Sequence, residues 1–293
     1  MDEIDFRILK ILSDNCRTPY EMIAKGVGLT GNAVRKRVED MMDRGIIDRF
    51  FLCVSPAALG YNTIIAVFEH GEEAFDELSK GENVMFVIGS VNGVGAAVFL
   101  FRPEESWREG LGAIFKKIGS ARLVSAFVYE EAIQGTKARE IDRKIMRSMK
   151  DDVRKPVSDI ADELKISTKT VRRHLDYLAS REIMCPMVLI QPWNMDGIVP
   201  YYLFVEFEEE LGTERVISCF DKKFDKCWFR QKVGGKPIFL LQLYARSFRE
   251  IEEQRESLHG IEGVKNAIFF YPSRVYFSDR YAKEGWGRIM GEC

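Results

Sequence analysis

Histidine is the scarcest residue with chemistry to offer: there are three in 293, His70, His174 and His259, none with a cysteine or acidic partner at ligand spacing. That scatter argues against a zinc site. The six cysteines (Cys16, Cys53, Cys185, Cys219, Cys227 and Cys293) form no CxxC pair, and most lie in apolar stretches such as Phe51-Leu52-Cys53-Val54. They read as reduced thiols rather than a disulfide framework. The chain lacks a GxxxxGK[ST] loop, a GxSxG elbow and an HExxH helix. Gly93-Val94-Gly95 and Gly234-Gly235 lack a GxGxxG frame and read as hairpin turns. Nothing resembles a catalytic constellation, so no cofactor, no metal and no enzyme activity is expected. The longest apolar run, Val94 to Phe101, is far too short to span a bilayer. The N-terminus opens acidic (Asp2, Glu3, Asp5) instead of with a basic-then-apolar leader, so a cytoplasmic protein away from membranes is expected. Charge of one sign is missing too: 43 Lys and Arg against 45 Asp and Glu leave a net of −2. What is present, 46% apolar and 30% charged residues, is the balance of a globular chain with enough apolar content to bury a core.

The strongest signal is internal repetition. Laying Glu3-Ile4-Asp5 on Glu140-Ile141-Asp142 also puts Pro19 on Pro156, Ile23-Ala24 on Ile160-Ala161 and Val34-Arg35 on Val171-Arg172. Over residues 3–47 this ungapped overlay holds 13 identities in 45 positions, where unrelated sequences would share about three. Gly60 still falls on Gly197. After a small insertion the match resumes with Ser106-Trp107-Arg108-Glu109 on Ser247-Phe248-Arg249-Glu250. One unit, a little under half of the chain, is therefore present twice.

Each unit divides by its apolar period. Ile4, Ile8, Leu9, Ile11 and Leu12 recur at helical spacing, predicting a helix over 3–14. Thr18-Pro19-Tyr20-Glu21 predicts a second helix, with Thr18 as cap, Pro19 in the first helical position and Glu21 closing a capping box. A third helix follows Thr30 and ends near Asp43, at Arg44-Gly45. Ile46 to Val54 reads as a strand or wing. Three short helices with a tight turn before the third form a helix-turn-helix arrangement. Past Pro56 the period shifts toward 2, giving strands at 63–69, 85–91, 95–101 and 123–130 and helices at 73–80 and 106–118. That βαββαβ order is ferredoxin-like. The second unit repeats it with strands 201–207, 227–233, 238–245 and 264–271 and helices 213–224 and 247–259. The fold class expected is α+β. Two winged helix-turn-helix domains (1–55 and 137–192) alternate with two ferredoxin-like domains (56–136 and 193–277), and 278–293 reads as a tail.

On the third helix, Val34, Val38 and Met41 share one face and Asn32, Arg35 and Lys36 the opposite one. In the second unit Val171, Leu175 and Leu178 face the core, and Lys169, Arg172 and Arg173 face outward. A recognition helix needs such cations for phosphates and such donors for base edges. With Thr30 at its start and Arg37 beside them, these are the candidate DNA-binding residues. Arg37 sits on the flank of the wheel, open either to the preceding helix or to a phosphate, and His174 is its counterpart.

These residues carry a family resemblance. Asp2, Ile4-Asp5, Ile8-Leu9, Leu12, Asn15 and Arg17 are similar to the opening of the Lrp/AsnC (feast/famine) transcription regulators. Ile23-Ala24, Val27-Gly28-Leu29-Thr30, Val34, Arg37-Val38, Gly45-Ile46-Ile47, Val54-Ser55-Pro56 and Leu59-Gly60-Tyr61 continue the likeness. The resemblance spans the first unit and, more loosely, the second. It implies a DNA-binding winged helix joined to a ferredoxin-like (RAM-type) domain for effector binding and dimerisation. It places the effector loop at Asn92, Gly93 and Gly95 and at Gly234 and Gly235. Family loops there usually carry a glycine followed by an acidic residue. Neither loop here offers a carboxylate for an amino group, which argues against a free amino acid as the small-molecule effector. The second winged unit also has Glu182 where Gly45 is expected and Cys185-Pro186 in its wing.

Tandem fusion predicts that the two ferredoxin-like domains pair within one chain as a pseudo-dimer, open to further self-assembly, with unlike recognition helices facing double-stranded DNA. Two other readings stay open. Siroheme decarboxylases resemble the same architecture and hold a tetrapyrrole in the ferredoxin-like module, although no matching substrate motif stands in either unit. A ligand-sensing protein whose winged domains bind other proteins is the third. Residues 1–50 hold nine basic and nine acidic residues, residues 138–190 twelve and nine, and the remainder carries −5. The near-neutral total thus hides neutral-to-basic winged units on acidic modules.

Overall fold

The structure is a computed structural model that describes every residue except 70–71, 133–137, 209–217, 219–225, 233–236, 259–260 and 292–293. The predicted helix at 213–224 and the candidate residues Gly234 and Gly235 fall outside the described residues.

The first unit opens with α1 (Glu3–Asp14), α2 (Tyr20–Val27), α3 (Gly31–Asp43) and β1 (Ile47–Val54). Asp2 caps α1 reciprocally: its carboxylate accepts from the Asp5 N–H at 2.9 Å while Asp5 accepts from the Asp2 N–H at 3.0 Å. Ile8, Leu9 and Leu12, at helical spacing, are fully buried against Ile23, Val34 and Val38. The start of α2 differs from the sequence expectation. Pro19, in extended conformation, is itself the N-cap, and no side chain caps the helix. Thr18 instead donates its hydroxyl to the Asn15 carbonyl at 2.9 Å. The second unit repeats the plan as α6 (Glu140–Ser148), α7 (Val157–Leu164), α8 (Thr168–Ser180) and β6 (Met184–Ile190).

The intervening ferredoxin-like elements are β2 (Asn62–Glu69), α4 (Glu72–Ser79), β3 (Val84–Ser90), β4 (Val94–Phe101), α5 (Trp107–Ile118) and β5 (Arg122–Glu130). Their counterparts are β7 (Val199–Phe207), β8 (Cys227–Lys232), β9 (Ile238–Ala245), α9 (Phe248–Leu258) and β10 (Val264–Phe270). The sheets run β3-β4-β2-β5 and β8-β9-β7-β10, the same order in both units. A strand with both faces covered needs apolar residues on both, and β2 and β7 show how they divide. Ile64, Ala66 and Phe68 pack with the helices α4 and α5, whereas Ile65 and Val67 face the other sheet. On β7, Tyr201, Leu203 and Val205 join the core under α9, while Tyr202 and Phe204 turn to the first sheet. Phe127 of β5 lies 6.3 Å from Phe204 across this seam. The two sheets therefore pack face to face within one chain.

Three joints between the units lie beyond local sequence. The wings β1 and β6 pair with each other, antiparallel, with Cys53 opposite Cys185 and Phe50 opposite Val188. β11 (Pro272–Phe277) crosses over to pair with β3 at the edge of the first sheet. The tail expected at 278–293 is instead mostly helix: α10 (Asp279–Met290), capped by Ser278, packs on Val54 and Leu59. Its backbone approach there is close, since a Cβ at Gly285 would lie 3.1 Å from Leu59 Cδ1.

The departure at Glu182 has a conformational cost. Gly45, closing α3, has φ +68°, and Glu182 takes the same left-handed conformation at φ +49° without a glycine's freedom. Exposed Glu182→Gly is expected to raise the unfolding free energy by about 1 kcal/mol. Urea denaturation checks this; an unchanged midpoint would mean that the strain is absorbed elsewhere.

Candidate nucleic-acid interface

The third helices α3 and α8 are anchored inward and free outward. Thr30 Oγ1 accepts from the Ala33 N–H at 3.3 Å, and Ser167, its equivalent, accepts from Thr170 at 3.1 Å. Val34, Val38 and Met41 are buried on α3, and Val171 and Leu178 on α8. Asn32, Arg35 and Lys36 are exposed, as are Lys169, Arg172 and Arg173. Apart from a contact of the Arg35 guanidinium on the Tyr20 ring, the side chains of these six make no hydrogen bond, ion pair or ring contact among the described residues. Their charges face solvent.

Arg37 belongs with the scaffold. Its Nη1 donates to Asp2 Oδ2 and Asp5 Oδ1, both at 2.7 Å, tying α3 to the start of α1. Asp5, then Asp2, raise the Arg37 guanidinium above its ordinary value by accepting from it. Burial opposes ionisation of Asp2, but the Asp5 N–H and the Arg37 guanidinium hold its carboxyl below the usual range. His174 has the same task in the second unit, its Nδ1 lying 2.6 Å from Asp142 Oδ1 with both side chains buried. The dissimilar pair Arg37 and His174 thus meets equivalent aspartates, a likeness hidden in sequence by the change of residue type.

Two arginines that sequence reading did not single out as functional set the relation between the winged units. Arg17 donates to the carbonyls of Val153 and Lys155, and Arg154 donates to those of Cys16 and Thr18. The repeat overlay carries Arg17 onto Arg154, Cys16 onto Val153 and Thr18 onto Lys155, so the clasp is self-complementary about an internal pseudo-two-fold axis. The identity at this position was the available signal. Desolvation at the joint lowers the Arg17 pKa below its ordinary value and pushes the Cys16 thiol up to about 11.

Around the clasp a cleft of about 710 Å³ opens between the units. Arg35 of α3 and Arg172 of α8 both border it, as do the N-termini of α2 and α7. The Tyr20 ring lies 5.5 Å from the Arg35 guanidinium carbon and 4.4 Å from that of Arg154, so cations of opposite units share one ring. One residue of each third helix, Arg35 and Arg172, thus borders the cleft at the joint.

The candidate effector residues sit at the β3–β4 turn. Gly93 has φ +78°, and Gly95 pairs with Phe68 inside the sheet. The Asn92 amide donates to the Phe269 carbonyl at 3.0 Å and its oxygen accepts from Tyr271 N at 3.4 Å, bridging to the other unit. No group of three or more His, Cys, Asp or Glu side chains could hold a metal among the described residues, and no helix among them is long and apolar enough to cross a membrane.

Comparison with known proteins places the helical units. Residues 1–42 match the AsnC-type helix-turn-helix domain, and residues 139–183 match a winged helix-turn-helix DNA-binding family. The HTH-type transcriptional regulator LrpA of Pyrococcus horikoshii is 40% identical over 89 residues, 30% of this chain and 63% of that protein. LysM of Saccharolobus solfataricus, also an HTH-type transcriptional regulator, is 50% identical over 50 residues, 17% of this chain and 35% of its own length. The chain thus spans less than two thirds of the length of these relatives. A crystal structure of the siroheme decarboxylase NirDL with an iron-uroporphyrin III analogue aligns over 98% of this chain and 97% of its own, with 14% identity and a TM-score of 0.49. By sequence, the chain carries an AsnC-type helix-turn-helix domain over residues 1–42 and a second winged helix-turn-helix unit over residues 139–183, and its first unit is similar to HTH-type transcriptional regulators such as LrpA.

Proposed function

We propose that the chain is a sequence-specific DNA-binding transcriptional regulator that reads one operator with two unlike recognition helices. The observation that carries this reading is the repetition of an exposed, solvent-facing cationic surface on two capped third helices joined by the arginine clasp. Asn32 and Lys36 on α3 and Lys169 and Arg173 on α8 reach base edges. Thr30 holds the first helix start, and Arg37 acts by fixing α3 on α1. Asparagine suits adenine and arginine suits guanine, so unlike residues at equivalent positions favour unlike half-sites. The clasp holds both helices before the same duplex, which removes the ordering cost that two separate chains would bear.

A small-molecule effector would act at the Asn92 turn, because a ligand displacing Asn92 from Phe269 and Tyr271 would alter the fit of the two sheets. The chain would not catalyse a reaction of its own. Anisotropy titration with a duplex selected from a random pool tests the main reading. Binding should weaken steeply with salt. Either pair of substitutions, Asn32→Ala with Lys36→Ala or Lys169→Ala with Arg173→Ala, should cost about 10- to 100-fold. Purified protein should release nucleic acid on salt washing. A Soret band in its absorption spectrum, or salt-independent binding untouched by both pairs, would sink the reading.

A further inference from the structure

We propose that the cleft between the winged units is a phosphodiester site. The DNA backbone crosses the internal pseudo-two-fold axis there, held by Arg35 and Arg172. This rests on the DNA-binding reading and adds to it a contact centre that no recognition helix supplies alone.

Charge is the first support. Arg17, Arg35, Arg154, Lys155 and Arg172 border the cleft, against the two carboxylates Glu21 and Asp152. Of the five cations, Arg17 and Arg154 are engaged with carbonyls and Lys155 with Glu163. Arg35 and Arg172 have no anionic partner among the described residues. An excess of cations in a concave surface focuses potential and draws a polyanion.

Position is the second. Arg35 and Arg172 are equivalent under the repeat and line one cavity. Partners that read two half-sites one helical turn apart would hold their recognition elements about 34 Å apart. Here Arg35 and the opposite unit's Arg154 lie against the same Tyr20 ring, at 5.5 Å and 4.4 Å from its centre. Because Arg35 and Arg172 border one cleft on the internal axis, they would lie over the middle of the bound duplex and position its backbone, and base reading falls to the residues farther out on each helix. The flanking Tyr20 ring keeps Arg35 extended toward the cleft.

Ethylation interference on the selected operator tests the proposal. With the native chain, ethylated phosphates at the centre of the site should block binding. With Arg35→Ala and Arg172→Ala together, central interference should vanish and the slope of log K against log salt should fall by about two, with base preference retained. The lysine pair Arg35→Lys and Arg172→Lys should restore both. Silent central phosphates in a native complex, or an unchanged salt slope in the alanine pair, would overturn the phosphodiester site while leaving the regulator reading intact. A native chain that binds no duplex would overturn both.

Discussion

Phe204→Ala should lower the unfolding free energy by about 4 kcal/mol, the largest single effect expected in this chain. Phe204 is 3% exposed at the seam between the two sheets. Its ring stacks on Phe270 at 5.6 Å and 18° within its own sheet and meets Phe127 of the other. Truncation opens a cavity whose walls are hydrogen-bonded strands, which cannot slide inward without breaking the ladders β7–β9 and β7–β10. The loss therefore combines lost transfer energy with an unrelaxed void. Urea denaturation should still show a single transition, because the seam couples the two units. A loss under about 1.5 kcal/mol, or two separate transitions of which one is unmoved, would show that the sheets do not form a common core.

The second large effect is expected at the clasp. Arg154→Ala removes two charge-assisted bonds to the Cys16 and Thr18 carbonyls, together with contacts to the rings of Tyr20 at 4.4 Å and Phe50 at 5.2 Å. A bond from a charged donor contributes about 1.5–3 kcal/mol, and carbonyls left without a partner add to the loss. For the single change, a loss of about 3 kcal/mol is expected. The further loss from adding Arg17→Ala should be smaller, since both arginines close one joint and their effects are coupled. Arg154→Lys should recover only part of it, because an ammonium cannot fork two carbonyls as a planar guanidinium does. Thermal and urea unfolding check the series. If Arg154→Ala stays within about 0.5 kcal/mol of the native chain, the two winged units are not held by the clasp.

Local features were readable where local physics decides them. Thr30 and the apolar spacing of α1 and α3 mark helices that the structure places at the same residues, with Asp2 as the cap of α1 that the spacing did not announce. Thr18 misled because the proline after it stands outside the helix, leaving the threonine no amide to cap. The pairing of β1 with β6 joins segments far apart in the chain, and nothing in either strand announces its partner. α10 was invisible because Gly285 and Gly287 dilute its helical signal, while its stability comes from packing on Val54 and Leu59. At the candidate interface the exposed cations were legible from the helical wheel. The role of Arg37 was not, since only the folded chain brings Asp2 and Asp5 to it. Nor was the clasp, because Arg17 and Arg154 look like two more surface charges until their carbonyl acceptors are seen.

The most direct test of a paired, unlike reading of DNA is operator selection by the native chain, followed by footprinting and stoichiometry on the winning duplex. The proposed reading predicts one chain per duplex and one continuous protected site with unlike halves. Base preference should change in one half with Asn32→Ala and Lys36→Ala and in the other with Lys169→Ala and Arg173→Ala. No enrichment from the pool, or a symmetric site occupied by two chains and altered only by the α3 substitutions, would contradict it.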